Sequence, residues 1–157
     1  MRLAEMLLEQ MDSTWAASHW HAPLAQLLER TTAAQAAWRP PQGGHTIHEI
    51  VVHLDYSARE MASRCKGGPR RWDESQSWVA TPEPLTEAAW RETVRSFEEH
   101  RRELAEAVAA LTDEQLAAPA YHGRPLLRHL SEVIQHEAYH AGQIAYIRRM
   151  LGEEPLM

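Results

Sequence analysis

The stretch Pro125-Leu-Leu-Arg-His-Leu-Ser-Glu-Val-Ile-Gln-His-Glu-Ala-Tyr-His-Ala-Gly-Gln-Ile-Ala-Tyr-Ile-Arg-Arg-Met-Leu151 reads as one long amphipathic helix. Leu126, Leu130, Val133, Ile144, Ile147 and Leu151 recur at helical spacing, Pro125 suits an early helical position, and Gly152 ends the run. Inside it, His136-Glu137-Ala138-Tyr139-His140 sets two histidines at i and i+4, one turn apart on one face. Both fall on the apolar stripe. Burying two imidazoles without partners costs free energy, so the pair reads as candidate ligands to one divalent cation.

Three more helical segments lie upstream. The first runs from about Leu3 to Arg30, with an interruption expected around His19 to Pro23, because Pro23 lacks an N–H and restricts Ala22. The second follows Pro40-Pro41-Gln42-Gly43-Gly44. Thr46-Ile47-His48-Glu49 has capping-box spacing, and Gly67-Gly68-Pro69 stops the helix near Lys66. The third begins near Thr86 and carries Trp90, Val94, Phe97, Leu104, Val108 and Leu111, followed by a short turn at Thr112. No stretch alternates like a strand. The pattern predicts an all-α chain, a four-helix bundle forming a single domain over 1–157. The Pro69 to Pro84 connection contains Trp72 and Trp78, lacks periodicity, and is long enough to suggest either an active-site cover or a packed loop.

Composition limits the function. The chain has 157 residues and a net charge of -6, which argues against a nucleic-acid partner. One cysteine, Cys65, suits a reducing compartment. Acids interrupt the N-terminal segment where a secretory signal needs an apolar run, and no stretch reaches the ~20 apolar residues of a membrane span. The expectation is a soluble, cytoplasmic protein. Ten histidines are more than a bland helical domain needs, and asparagine is absent.

The letters H-E-x-x-H are also those of zinc proteases. The longer protease pattern fails here, because the glycine is one place early (Gly142) and Tyr146 stands where a third histidine belongs. A di-iron carboxylate site needs a second Glu-x-x-His, and there is none. The better third ligand is His53 of the second segment, beside the Ile50, Val51 and Leu54 stripe. His48, five residues earlier, turns to another face. His53, His136 and His140 together make a neutral set suited to Zn, Ni, Co or Fe, with Zn or Ni preferred. The alternative is a helix core with hydrogen-bonded histidines.

Gly44-His45-Thr46-Ile47-His48-Glu49-Ile50-Val51-Val52-His53, His136-Glu137-Ala138-Tyr139-His140-Ala141-Gly142-Gln143-Ile144 and Arg148-Arg149-Met150-Leu151-Gly152 resemble the DinB/YfiT-like superfamily of four-helix-bundle metalloproteins. Trp20-His21-Ala22-Pro23 and Trp38-Arg39-Pro40 extend the resemblance over nearly the whole chain. His48 departs from it, standing where relatives often carry an aromatic. The resemblance implies an up-down-down-up bundle, often dimeric, with His53, His136 and His140 as the metal triad. It also implies transferase or isomerase chemistry with low-molecular-weight thiols such as bacillithiol or mycothiol. Fold-level kinship supports the metal more than any one reaction.

Other residues are candidates for supporting roles. Glu137 is a candidate general base or, more simply, a partner orienting a ligand imidazole. Gln143, one turn beyond His140, is a candidate for the same task. Arg101 interrupts the third apolar stripe, as a buried ion-pair member, an anion contact for a substrate or thiol carboxylate, or a snorkelling side chain. His129 shares the His136 face two turns earlier. Trp15, Trp20 and Trp90 are expected in the core, and Cys65 is given no catalytic role. The leading function is a metal-dependent thiol S-transferase acting on a small electrophile. A metal-dependent hydrolase and a non-enzymatic metal- or ligand-binding bundle are the alternatives, with a homodimer as the expected assembly.

Overall fold

The computed structural model describes residues 2–17, 20–69 and 71–156. Among these residues the structure is helical with no strand, and a lone bridge joins Pro119 to Pro125. In chain order the α-helices are α1 (Leu3–Asp12), α2 (Leu24–Glu29), α3 (Ala33–Ala37), α4 (Ile47–Cys65), α5 (Glu74–Ser77), α6 (Glu87–Ala109), α7 (Asp113–Ala117) and α8 (Leu126–Met150). A π turn, Ser13–Ala17, extends α1, and a 3₁₀ turn, Tyr121–Gly123, precedes α8.

Local chemistry sets these boundaries. Thr46 caps α4 reciprocally with Glu49: each backbone N–H donates to the other's side chain at 3.1 Å. Gly67, at φ 83°, turns the chain away after α4, a conformation that favours glycine. Thr86 caps α6 and Thr112 caps α7. Pro125 stands just outside α8 with ψ 145°, not within its first turn. The reason is local pairing: the Leu126 N–H donates to the Ala118 carbonyl at 3.2 Å, and the Ala120 N–H donates to the Arg124 carbonyl at 2.7 Å.

The first segment differs from its expectation. It is α1 plus a π turn, then α2, and α3 was not anticipated. His19, named at the expected interruption, lies outside the described residues. The Met11 carbonyl accepts from the Arg101 guanidinium where α1 passes into the π turn, so a side chain competes with the helix's own ladder there.

Cross-helix contacts fix the direction of each long helix. Along α4 and α6, His48 meets Thr93, Asp55 meets Ser96 and His100, and Lys66 meets Glu103, so the two run parallel. The α1 segment is antiparallel to α6, because Leu3 bonds Asp113 beyond the end of α6 while Trp15 packs on Phe97 at 5.9 Å. The α8 helix runs against α4, with Ile50 near Ile147 and Arg64 near His129. The result is an up-down-down-up bundle. Parallel neighbours α4 and α6 require a long crossover, and residues 66–86 supply it. Fully buried Trp90, Phe97, Leu54, Leu104, Leu130 and Ile144 form the centre of the core, and the Trp90 indole N–H is satisfied by the Thr31 carbonyl at 2.7 Å. Trp20, expected inside, is 92% exposed.

Candidate metal centre

Antiparallel α4 and α8 face each other through His53, His136 and His140. His136 Nε2 lies 2.9 Å from His53 Nε2 and 2.9 Å from His140 Nε2. One ring nitrogen from each residue falls within 4.8 Å of the others, the grouping expected of a shared cation. His53 and His140 are buried, and His136 is partly exposed. The i, i+4 spacing on α8 brings one pair together, and the α4 register brings the third.

The outer nitrogens of two rings are tied down. His140 Nδ1 meets Gln143 Oε1 at 2.6 Å, and the Gln143 amide N–H donates to the Tyr139 hydroxyl at 3.0 Å. With the amide in this orientation the His140 Nδ1–H donates to the Gln143 oxygen, and Nε2 carries the lone pair directed inward. His53 Nδ1 meets the Ser77 hydroxyl at 2.6 Å. Trp78 stacks on His53 with ring centroids 4.0 Å apart and on His45 with centroids 3.7 Å apart. Both Ser77 and Trp78 belong to the α4–α6 crossover. The connection with two tryptophans is thus packed onto the His53 ring of the cluster. Loop length and aromatic content hinted at that role; nothing in the sequence pointed to Ser77.

Burial, reinforced by the neighbouring imidazoles, lowers the His53 and His136 pKa values to about 4. His140 is lowered by burial as well, with the Gln143 hydrogen bond opposing it. At neutral pH all three rings are uncharged, the form in which imidazole binds a metal. Convergent lone pairs, oriented outer nitrogens and neutral rings fit a divalent ion of intermediate softness.

Glu137 and Arg101 pair with each other, which for Arg101 is the buried ion-pair reading among those the sequence offered. Glu137 is buried and turned toward α6, with both carboxylate oxygens 3.2 Å from Arg101 Nε. The same guanidinium reaches the Met11 carbonyl and lies 4.9 Å from the Trp15 ring. These two residues clamp α1, α6 and α8 together, and Glu137 is directed away from the imidazoles. Burial pushes its carboxyl up, and Arg101 opposes that shift. Burial also pushes the Cys65 thiol up to about 11, so it is not an activated nucleophile.

A cleft of about 250 Å³ opens along the α4–α8 seam with His136 in its wall. His129 lines its far end and meets the Tyr121 carbonyl at 3.0 Å.

The chain superposes on a conserved protein from Enterococcus faecalis known from its crystal structure, with a TM-score of 0.74 over 98% of this chain and 99% of that one. Identity is 16%, so the likeness establishes the fold alone. No curated protein matches the chain. The sequence model of the DinB superfamily matches residues 8–144, most of the length, and the chain belongs to that family.

Proposed function

We propose that this DinB-superfamily protein is a metal-dependent thiol S-transferase using a low-molecular-weight thiol, bacillithiol among the candidates. The observation that carries the reading is the convergence of three neutral imidazoles beside a cleft. His53, His136 and His140 would hold the ion, Zn or Ni by donor type. A divalent cation held by neutral ligands keeps its full charge and lowers the pKa of a thiol that reaches it, from an ordinary value of about 8.5.

The remaining work falls to the chain. Ser77 and Gln143 hold two rings in the ligating tautomer, Trp78 shields one ring from water, and the seam cleft aligns the electrophile. In the transfer the sulfur forms a bond to an electrophilic carbon. The leaving group departs with its electron pair, and the thiol proton passes to solvent. We further propose a cytoplasmic homodimer of single-domain chains. Exposed Tyr139, Tyr146 and Met150 on one face of α8 support the pairing, and no helix among the described residues is long and apolar enough to cross a membrane.

The test is conjugation of a panel of small thiols to a chloro-aromatic or epoxide acceptor. Rate should depend on metal and fall in His53→Ala, which should lose the ion as readily as His140→Ala. If thiols do nothing above a metal-stripped control while water-dependent ester or amide cleavage appears, the protein is a hydrolase. Bound metal with neither activity supports a non-catalytic role.

A further inference from the structure

A second cavity lies on the α4–α8 seam, beyond the triad from the cleft. The cleft is walled by α4 residues after His53 and α8 residues before His140. The second cavity takes the opposite ends: Ile50 of α4, and Gln143, Ile147 and Met150 of α8. The loop from Pro40 to His45 closes its outer side. Its volume is about 480 Å³, within the roughly 300–1,000 Å³ of small-molecule sites.

The outer wall is held in place. Arg39 donates to the Gly44 carbonyl at 2.6 Å and also reaches Glu49. Gly44 sits at φ 105°, where a side chain would be strained. His45 lies flat on Trp78, with centroids 3.7 Å apart, and its Nδ1 stands 3.3 Å from Glu49. An ionised carboxylate only accepts, so Nδ1 carries the hydrogen and Nε2 is the ring's acceptor. On the α8 side, Gln143 accepts from His140 Nδ1 and gives one N–H to Tyr139. An amide nitrogen has a second N–H to give. The cavity thus offers one acceptor and one donor above a floor of Ile50, Ile147 and Met150. Among the described residues no carboxylate, lysine or arginine lines it.

We infer that this cavity binds a neutral carboxamide with an apolar body, and that its occupancy tightens metal binding at the triad. The ligand's amide N–H donates to His45 Nε2, and its carbonyl accepts from Gln143. A charged end would lose water there and meet no counter-charge. The coupling runs along a chain of hydrogen bonds. An acceptor on the Gln143 N–H adds electron density to Gln143 Oε1. That oxygen then draws harder on the His140 Nδ1–H, which makes His140 Nε2 a stronger ligand. No part of the carboxamide touches the ion. The inference rests on the metal-centre part of the reading above and is independent of the thiol chemistry.

The test begins with metal-free protein. Benzamide and 2-naphthamide are titrated by heteronuclear NMR beside benzoate and benzylamine. The carboxamides should bind about tenfold or more tightly than the charged isosteres, with shifts centred on the Gly43 and Gly44 amides. His45→Phe keeps a ring on Trp78 and should weaken carboxamide binding about three- to tenfold, one lost hydrogen bond. Zn affinity is then measured by chelator competition. Saturating 2-naphthamide should tighten it about fivefold, and Zn should tighten 2-naphthamide by the same factor. Gln143→Leu should show no coupling. Charged isosteres binding as well as benzamide, or shifts centred on Ser57 and Arg64, overturn the inference and leave the metal centre standing. Absence of carboxamide binding, as when a second copy covers this face, does the same. Carboxamide binding with unchanged Zn affinity overturns the coupling through Gln143. Carboxamide binding at the glycine loop in a protein that takes up no Zn overturns the metal-centre reading and keeps the cavity's ligand class.

Discussion

His136 and Glu137 are neighbours on α8, and burial acts on both in the same way, yet they end in opposite roles. Removal from water disfavours charge, so it lowers the pKa of His136 and raises that of Glu137. The histidine becomes neutral and points its lone pair at two other imidazoles on the α4 side. The glutamate, one residue and about 100° farther round the helix, faces α6 and remains matched by Arg101. One side of the helix therefore gathers donors that need a guest. The other closes a polar network that needs none. Two side chains adjacent in a motif are separated by helical geometry into a chemical site and a structural clamp.

Breaking the clamp should have the larger effect on stability. Glu137→Ala leaves the Arg101 guanidinium buried without its carboxylate, which costs about 3–5 kcal/mol for pairs of this kind. Urea denaturation should show that loss, while protein folded at low denaturant keeps its metal. Replacing both partners, Arg101→Met with Glu137→Leu, should recover most of the stability, since a well-packed apolar pair avoids the desolvation penalty. If Glu137→Ala instead strips metal from a fully stable protein, Glu137 belongs to the metal centre and the contrast fails.

The triad gives a smaller, pH-dependent signature. His53 and His136 titrate at about 4 in the folded protein and near 6.5 when unfolded. Between those values the unfolded chain holds protons that the folded one lacks. Stability of the metal-free protein is thus full above pH 6.5 and declines as pH falls toward 4. His140 has the same sign. The His136→Gln protein should show a shallower decline over that window, measured by chemical denaturation at fixed ionic strength. An unchanged slope would mean that the rings are not buried neutral.

Sequence and structure agree where the signal is local and differ where it depends on three-dimensional register. Helix α4 announces itself through Thr46, Glu49 and Gly67, and the His136–His140 pair through i, i+4 spacing, because both are fixed within one or two turns. His53 was legible as the third member of the histidine cluster because its stripe neighbours show which face is buried. The π turn after α1 was not, since its cause, the Arg101 guanidinium on the Met11 carbonyl, comes from a helix 90 residues away. The partner of Glu137 was hidden for a related reason. Its spelling matches a protease motif, but its partner, Arg101, is set by α6 packing. Ser77 and Trp78 lie on a crossover whose path no periodicity encodes.

The finest test compares the two outer hydrogen bonds of the triad. Ser77→Ala removes the acceptor at His53 Nδ1, and Gln143→Leu removes the one at His140 Nδ1. Neither touches the ligating nitrogens, so each should keep roughly one ion per chain at saturating metal but bind it about 10–100-fold more weakly. The two should not be equal. Trp78 still stacks on His53 and holds that ring when the Ser77 hydroxyl is gone. His140 lies only edge-on to Trp78 at 6.1 Å, so it depends more on Gln143. Gln143→Leu is therefore expected to be the more damaging change, read by competition with a chromophoric chelator. A larger loss in Ser77→Ala would place the orienting force in the hydroxyl and leave the indole stack as packing alone.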